Sequence, residues 1–411
     1  MAPIAPLERW PCSDIVAPHV IAFWPRGLFH WQHASKQSWR RLQSEDVWHA
    51  AFAAGLDLTS KRISGAGAKA LAGRLPKGLG QLILDLRHCR LEARDLLALA
   101  DALPTGLRKL LLGLFHCGAG AEAVCALAER LPATLTQLRL DLGMCSIGDQ
   151  GACALAARWP PGLLELHLGF FSCNIGNDGA RAVAEKLPPG LTGLHLGFGD
   201  CRITAQGACA VAEHLPPGLA HLHLDFKGCV IGTEAARAVA AKMPADLRTL
   251  HLNLFHCHIN ADGARAVVEQ LPAGLQKLHL DFGLCDLGAE GARAMASHLP
   301  AEVSQLHLGF FDCNIGTEGA RAVVEGLPSG LKDLHLNLGM CGVEGETGAR
   351  AVAELLPPGL TRLHLSFFNC NIGAAGAHTV IDQLPTGLLH LRLDLATASM
   401  EPCFGRAPEE R

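Results

Sequence analysis

The sequence predicts an α/β solenoid in which one strand-plus-helix unit is stacked many times. Three observations predict it. Cys89, Cys117, Cys145, Cys173, Cys201, Cys229, Cys257, Cys285, Cys313 and Cys341 recur every 28 residues, and Cys370 follows after 29. Within each interval the apolar period changes from two to about four. A proline closes each unit, from Pro76 through Pro216, Pro300 and Pro385. A repeat of this size is a supersecondary unit that buries its apolar faces only against its neighbours.

The unit from Leu163 to Gly190 shows why each element forms. Leu166, Leu168 and Phe170 alternate with His167, Gly169 and Phe171, the pattern of a strand with one buried face. Cys173 and Ile175 then turn inward. Gly179, Val183 and Leu187 stand four apart with Ala180 beside them, which gives a helix one apolar stripe. Pro188 ends that helix, because it has no amide N–H to continue the ladder. In the first unit Lys61 replaces the cysteine, while Ile63, Gly67, Leu71 and Leu75 keep register. Gly65-Ala-Gly-Ala-Lys69 reads there as a helix start. The units around Cys89 and Cys117 carry Asp95 and Ala123 in place of the helix glycine. The last strand, Leu391-Arg-Leu-Asp-Leu395, runs to Ala398 at the cysteine position and has no helix pattern after it. The repeats therefore occupy residues 51–398, between a distinct segment, 1–50, and a tail, 399–411.

Composition narrows the function. With 35 basic and 39 acidic side chains the net charge is −4, so the basic footprint of a nucleic-acid binder is missing. The chain is equally no acidic decoy for basic partners. No apolar run approaches a membrane span, and the opening residues lack the pattern of a secretory signal. Eleven of the 16 cysteines share one lattice position. Equivalent side chains on neighbouring strands point the same way, which is poor geometry for disulfides. A column of reduced, buried thiols fits the cytoplasm or nucleus.

Leu-x-Phe-x-x-Cys-x-Ile followed by Gly-x-x-x-Val-x-x-x-Leu resembles the leucine-rich repeat, and its length and cysteine resemble the ribonuclease-inhibitor subtype. The resemblance covers about residues 52–398. It implies a horseshoe, with parallel strands on the concave face and helices on the convex face.

Function is expected on the outward strand positions, which form three columns. The first is His167, His195, His223, His251, His279, His307, His335 and His364, flanked by Arg139 and Arg392, with Ile83 and Leu111 toward the start. The second includes Asp85, Asp141, Asp225, Asn253, Asp281, Asn337 and Asp394. The third alternates Phe115, Phe171, Phe255, Phe311 and Phe368 with glycines. The expected partner contacts are the eight histidines, Asp225, Asp281, Phe171, Phe255 and Phe311. Strands about 4.8 Å apart make the histidines a ladder whose mutual repulsion keeps it neutral near pH 7. Two readings of the ladder stand: a pH-sensitive contact surface, or the by-product of copying one repeat. Each phenylalanine is either an anchor for a partner or a cover for the next strand's glycine.

Other signals point to structure. A structural zinc site needs four converging ligands, and a flat ladder diverges, so no metal is expected, even at His256-Cys257-His258. Arg181 with Glu185, Arg265 with Glu269, Arg321 with Glu325 and Arg350 with Glu354 are i, i+4 pairs on a solvated helix face. Cys125, Cys153 and Cys209 lie in that row and are expected to be more exposed than the lattice thiols. The sequence holds no Gly-x-Ser-x-Gly elbow, phosphate loop or paired metal motif. Neither enzyme chemistry nor a cofactor is expected.

Residues 1–50 differ in kind, holding Trp10, Trp24, Trp31, Trp39 and Trp48. Ser44-Glu-Asp-Val-Trp48 is a helix-start signature. One reading is a cap that covers the solenoid's open end. The other rests on Trp10-Pro-Cys-Ser-Asp-Ile-Val16, Phe23-Trp-Pro-Arg26 and Ser38-Trp-Arg-Arg-Leu-Gln-Ser-Glu-Asp-Val-Trp48, which are similar in order and spacing to an F-box. Arg9-Trp10, Pro18 and Lys36-Gln37 depart from that family's pattern. The resemblance implies docking on the adaptor subunit of a cullin-RING ubiquitin ligase, with substrate held by the repeats. The expectation is a non-enzymatic scaffold for a protein partner, as such a substrate receptor. The alternative is an inhibitor or regulatory sensor of the ribonuclease-inhibitor kind without ligase coupling. The absence of tyrosine and the His, Asp, Asn, Gly and Phe columns weigh against the inhibitor.

Overall fold

The computed structural model describes residues 56–57 and 65–396. The expected cap or F-box segment (1–50), Lys61, Ile63 and the tail 399–411 lie outside the described residues. Among those described, the strands are β1 (Leu56–Asp57), β2 (Gln81–Asp85), β3 (Lys109–Gly113), β4 (Gln137–Asp141), β5 (Glu165–Gly169), β6 (Gly193–Gly197), β7 (His221–Asp225), β8 (Thr249–Asn253), β9 (Lys277–Asp281), β10 (Gln305–Gly309), β11 (Asp333–Asn337), β12 (Arg362–Ser366) and β13 (His390–Asp394). They form one parallel sheet in sequence order. The pairing is unslipped: Leu166 meets Leu194, and His167 meets His195. A helix follows each of β1 to β12, from Gly65–Ala72 through Asn177–Glu185 to Gly373–Asp382. Strands on one layer and helices on the other make the expected solenoid.

The core lies between the layers. Leu166, Leu168, Phe170, Cys173, Ile175, Ala180 and Val183 are all buried, and their equivalents recur along the chain. Phe170, Phe198 and Phe226 stack at 5.7 and 6.1 Å between ring centroids. On the helix Asn177–Glu185 the buried side is made of small residues, Gly179, Ala180, Val183 and Ala184. Small residues let neighbouring helices approach closely. A Cβ on Gly207 would fall 2.5 Å from Asn177 Oδ1 and 2.9 Å from Ile203. The helix from Asn177 ends at Glu185, before Pro188, whose carbonyl accepts the Leu191 N–H.

Two inter-repeat ladders lock the register. From Cys117 onward each lattice thiol donates to a carbonyl one repeat back, as Cys173 to Leu142 (2.9 Å), Cys201 to Phe170 (3.0 Å), Cys257 to Phe226 (3.0 Å) and Cys313 to Phe282 (3.0 Å). A thiol is small enough for this corner and supplies the donor a bare carbonyl needs. Burial pushes the Cys117, Cys173, Cys229 and Cys341 thiols up to about 12. All lattice cysteines are buried and unbridged. The second ladder caps helices. Asp149 Oδ1 accepts the N–H groups of Gly176 (2.7 Å) and Gly179 (3.0 Å) in the next repeat. Asn177 Oδ1 does the same for Thr204 and Gly207. These bonds satisfy amides that a helix start leaves without internal partners.

Candidate functional site

The outward column from β5 to β12 is built by strand alternation alone. Because the strands pair without slippage, His167 through His364 fall side by side. Their rings stand closer than the strands that carry them. Successive centroids are 3.6 Å apart for His167–His195, 3.7 Å for His195–His223 and His223–His251, and 3.6 Å for His251–His279 and His279–His307. The last two steps are 3.8 and 4.0 Å. Strand spacing is about 4.8 Å, so the side chains converge. Convergence requires the sheet to bend toward the histidines, which places them on its inner wall.

Stacking desolvates the ladder. His167 is only 7% exposed. Burial first, then the Arg139 charge, holds His167 well below the ordinary imidazole value. Burial and then its neighbour's charge do the same for His195 and His223. Burial lowers His251 to about 4. Burial, followed by His335, lowers His307 to about 3. His279 moves the same way, by burial and then His251. His364 is lowered by burial and Arg392, with Asp394 opposing. These seven rings are thus held toward the neutral form, for a different leading reason than the expected repulsion. Repulsion is secondary to burial, because each ring covers its neighbour's faces. Nδ1 of His167 and of His195 is buried without a hydrogen-bond partner. An unpaired lone pair is tolerated there better than an unpaired N–H, which favours the Nε2–H tautomer at these two rings.

Asp225 and Asp281 have a role the sequence reading did not give them. Asp225 Oδ1 accepts the Lys227 N–H at 2.9 Å, and Asp281 Oδ1 accepts the Gly283 N–H at 2.9 Å. Asn253 and Asn337 hold Phe255 and Gly339 likewise. Where it carries Asp or Asn, the second column therefore pins the bend after the strand. Burial raises both carboxyls.

The phenylalanines do cover glycines. A Cβ on Gly143 would lie 2.5 Å from the Phe115 ring, and one on Gly199 would lie 3.0 Å from Phe171. Gly283 is covered by Phe255 and Gly339 by Phe311. Phe171, Phe255 and Phe311 nevertheless stay half-exposed. Rings two repeats apart meet at 6.4 Å in Phe255–Phe311 and Phe311–Phe368, giving a continuous aromatic ribbon. The Lys227 ammonium lies 5.2 Å from the Phe255 ring centroid.

A fourth column was missed. The residue before each lattice cysteine takes a left-handed backbone, as at Met144 (φ 58), His256 (φ 56), Leu284 (φ 57) and Met340 (φ 57). Its N–H bonds the next repeat, as from Met144 to the Phe171 carbonyl at 2.7 Å. Met144, Leu284 and Met340 are exposed. The signal was an apolar residue in the turn where other repeats carry Ser, Asp or His.

Other calls divide. Cys257 is buried, and the flanking His256 and His258 rings are 5.6 Å apart. Among the described residues, no three His, Cys, Asp or Glu side chains are placed to hold a metal. Cys153 is exposed and Cys125 and Cys209 are intermediate, more open than the lattice thiols. Burial still raises Cys153 and Cys209, so neither is an activated thiolate. Arg321 pairs with Glu325 at 2.8 Å. Arg265 bonds Asp262 and Arg350 bonds Glu346, each reaching back along its helix in place of the expected forward glutamate. No described helix is long and apolar enough to cross a membrane.

A sequence profile described as Leucine Rich repeat matches residues 135–156, 247–268 and 276–296. Among curated proteins, none matches the chain. Three similar solved structures are distant. The leucine-rich repeat-containing protein LegL7 from Legionella pneumophila is 15% identical, with 77% of this chain and 94% of that one covered and a TM-score of 0.43. A chain of the Rad7 and Elc1 complex in yeast is 18% identical, covering 86% and 92%, with a TM-score of 0.46. An internalin (inlF) from Listeria monocytogenes is 13% identical, covering 86% and 89%, with a TM-score of 0.40. Three of its repeats match that profile, and the sequence-ordered parallel sheet with a helix after each of β1 to β12 has the fold of a leucine-rich-repeat solenoid.

Proposed function

We propose that this chain is a non-enzymatic scaffold that holds a protein partner against the strand face of its solenoid. The observation that carries the reading is the uninterrupted inner wall. It runs from His167 to His364 beside the ribbon Phe255–Phe311–Phe368. The wall is uncharged along its centre, so recognition rests on ring contacts and Nε2–H donors, and little on charge. Phe171, Phe255 and Phe311 supply aromatic anchors, while Asp225 and Asp281 shape the strand bends between them. In its finer form the partner is the substrate of a cullin-RING ubiquitin ligase whose adaptor docks on residues 1–50. The order and spacing of the Trp10 to Trp48 motifs support that form. Buried, unbridged thiols favour the cytoplasm or nucleus.

Affinity capture tests both levels. The baits are the full chain, a Phe255→Ser/Phe311→Ser variant, an Arg237→Glu variant on the helix layer, and a chain lacking residues 1–50. The expected result is one partner lost with the phenylalanines and kept with Arg237→Glu, and a ligase adaptor lost with residues 1–50. Partners lost only with Arg237→Glu would move the site to the helices. Retention of every partner by the shortened chain would leave residues 1–50 as a cap.

A further inference from the structure

The last repeat leaves half of its core uncovered. Ile381 is 53% exposed, whereas Val324 and Ala353 at the same helix position are 2% and 1%. Leu391 is 47% exposed against 2% for Leu363. Leu384, Leu388, Leu393 and Leu395 are only partly buried. Among the described residues the β13 strand pairs with β12 alone. Its other edge has a definite hydrogen-bonding phase. The Asp394 carbonyl accepts the Phe367 N–H, so even-numbered residues turn their amides toward β12. Leu391 and Leu393 therefore turn theirs outward. Residues 397–411 carry Pro402, Gly405 and Pro408 and no alternating apolar run.

The sequence His390-Leu-Arg-Leu-Asp394 is self-complementary when read against itself antiparallel. With Arg392 at the centre, Leu391 faces Leu393 of a second copy, and those two outward-turned residues form the hydrogen-bonded pair such a ladder requires. His390 then faces Asp394 of the second copy, an attractive pair. Arg392 faces its own counterpart, with Asp394 of the second copy at the diagonal position within reach of a long side chain. The same two-fold operation brings Ile381 and the helix Gly373–Asp382 toward their copies, extending the core.

We infer that two copies of this chain associate end to end, pairing their β13 strands antiparallel about a two-fold axis at Arg392. An isologous contact of this kind closes at two copies. It removes an exposed strand edge and leaves both inner walls free, so it stands apart from the reading of the strand face.

Sedimentation of the full chain tests it over about 1–50 µM, because association follows mass action. The expected species has twice the 43.5 kDa chain mass. Leu391→Lys places a charge in the contact and is expected to sediment at one chain mass with an unchanged far-ultraviolet spectrum. Arg392→Cys is a second variant that leaves the core intact. Non-hydrogen-bonded antiparallel partners sit about 4.5 Å apart at Cα, within disulfide range, so oxidation should join position 392 to itself in a peptide pair read by mass spectrometry. A monomeric full chain would overturn the proposal. So would a dimer that survives Leu391→Lys and yields no 392–392 link, since another surface would then make it. If the full chain is a monomer and pairs only after Met400→Ser/Phe404→Ser, residues 397–411 cover this end instead, and the proposal fails.

Discussion

Replacing His223, His251 and His279 by glutamine should make the solenoid more resistant to acid. In the folded chain these rings are held neutral by burial, with His251 lowered to about 4. Unfolded histidine titrates near 6.5. Each folded value lies below its unfolded value, so the stabilisation is complete above about pH 6.5 and is lost as pH falls from there toward the folded value. Between pH 7.5 and 5.5 each ring forfeits up to about 1.4 kcal/mol. The three together forfeit up to about 4 kcal/mol, a large share of a typical folding free energy. Protonated neighbours would also repel: at 3.7 Å two unit charges cost about 4 kcal/mol at an effective dielectric of 20. The raised carboxyls Asp225 and Asp281 work in the opposite direction. Their stabilisation is present below the unfolded carboxylate value and lost as pH rises through the folded one, so acidification restores part of it. The assay is urea unfolding followed by circular dichroism at pH 7.5 and 5.5, for the parent chain and the triple variant. The expected outcome is a parent midpoint that falls steeply at pH 5.5 and a variant midpoint that falls much less. Equal pH dependence in the two chains would refute the reasoning.

Further outcomes follow from the packing. Cys257→Ala should destabilise by about 1–2 kcal/mol, because it leaves the Phe226 carbonyl without its buried donor; denaturant unfolding reads this. In native protein a thiol reagent should label Cys153 well before any lattice cysteine, as mass spectrometry of timed samples will show. Gly283→Ala should destabilise by about 1–3 kcal/mol by driving its Cβ into the Phe255 ring. Adding Phe255→Ala should recover most of that loss, and additive effects would argue against the ring covering the glycine. Asp149→Ala should destabilise by about 1–2 kcal/mol through the lost caps on Gly176 and Gly179, an effect Asp149→Asn should largely spare.

The architecture was legible because each lattice position answers to one physical demand. Cys173 and its equivalents fill a corner that needs a small donor, and the 28-residue period carries that demand into the sequence. Leu166, Leu168 and Phe170 declare the buried face by alternation, and every strand-paired column then follows from the unslipped register. The family resemblance implied a curved stack, but the degree of curvature was not legible. Nothing in the spacing of His167 and His195 shows that their rings close to 3.6 Å, because convergence depends on how the whole stack bends. That is why repulsion was expected to lead and burial leads instead. The role of Asp281 was half-legible: a carboxylate two residues before Gly283 is an ordinary turn acceptor, but the column suggested a partner contact. Arg265 and Arg350 turned toward Asp262 and Glu346 because acids stood at comparable reach on both sides, and spacing alone does not choose between them.

The account depends on identical repeats setting eight imidazoles in one neutral stack along the inner wall. Long-range proton–nitrogen correlation of the histidine side chains at pH 6 measures this directly. The predicted result is a set of column resonances in the neutral form, with His167 and His195 protonated at Nε2, merging into signals of the unfolded chain only as acid denatures it. Column histidines found as freely exchanging imidazolium at pH 6 in folded protein would contradict it.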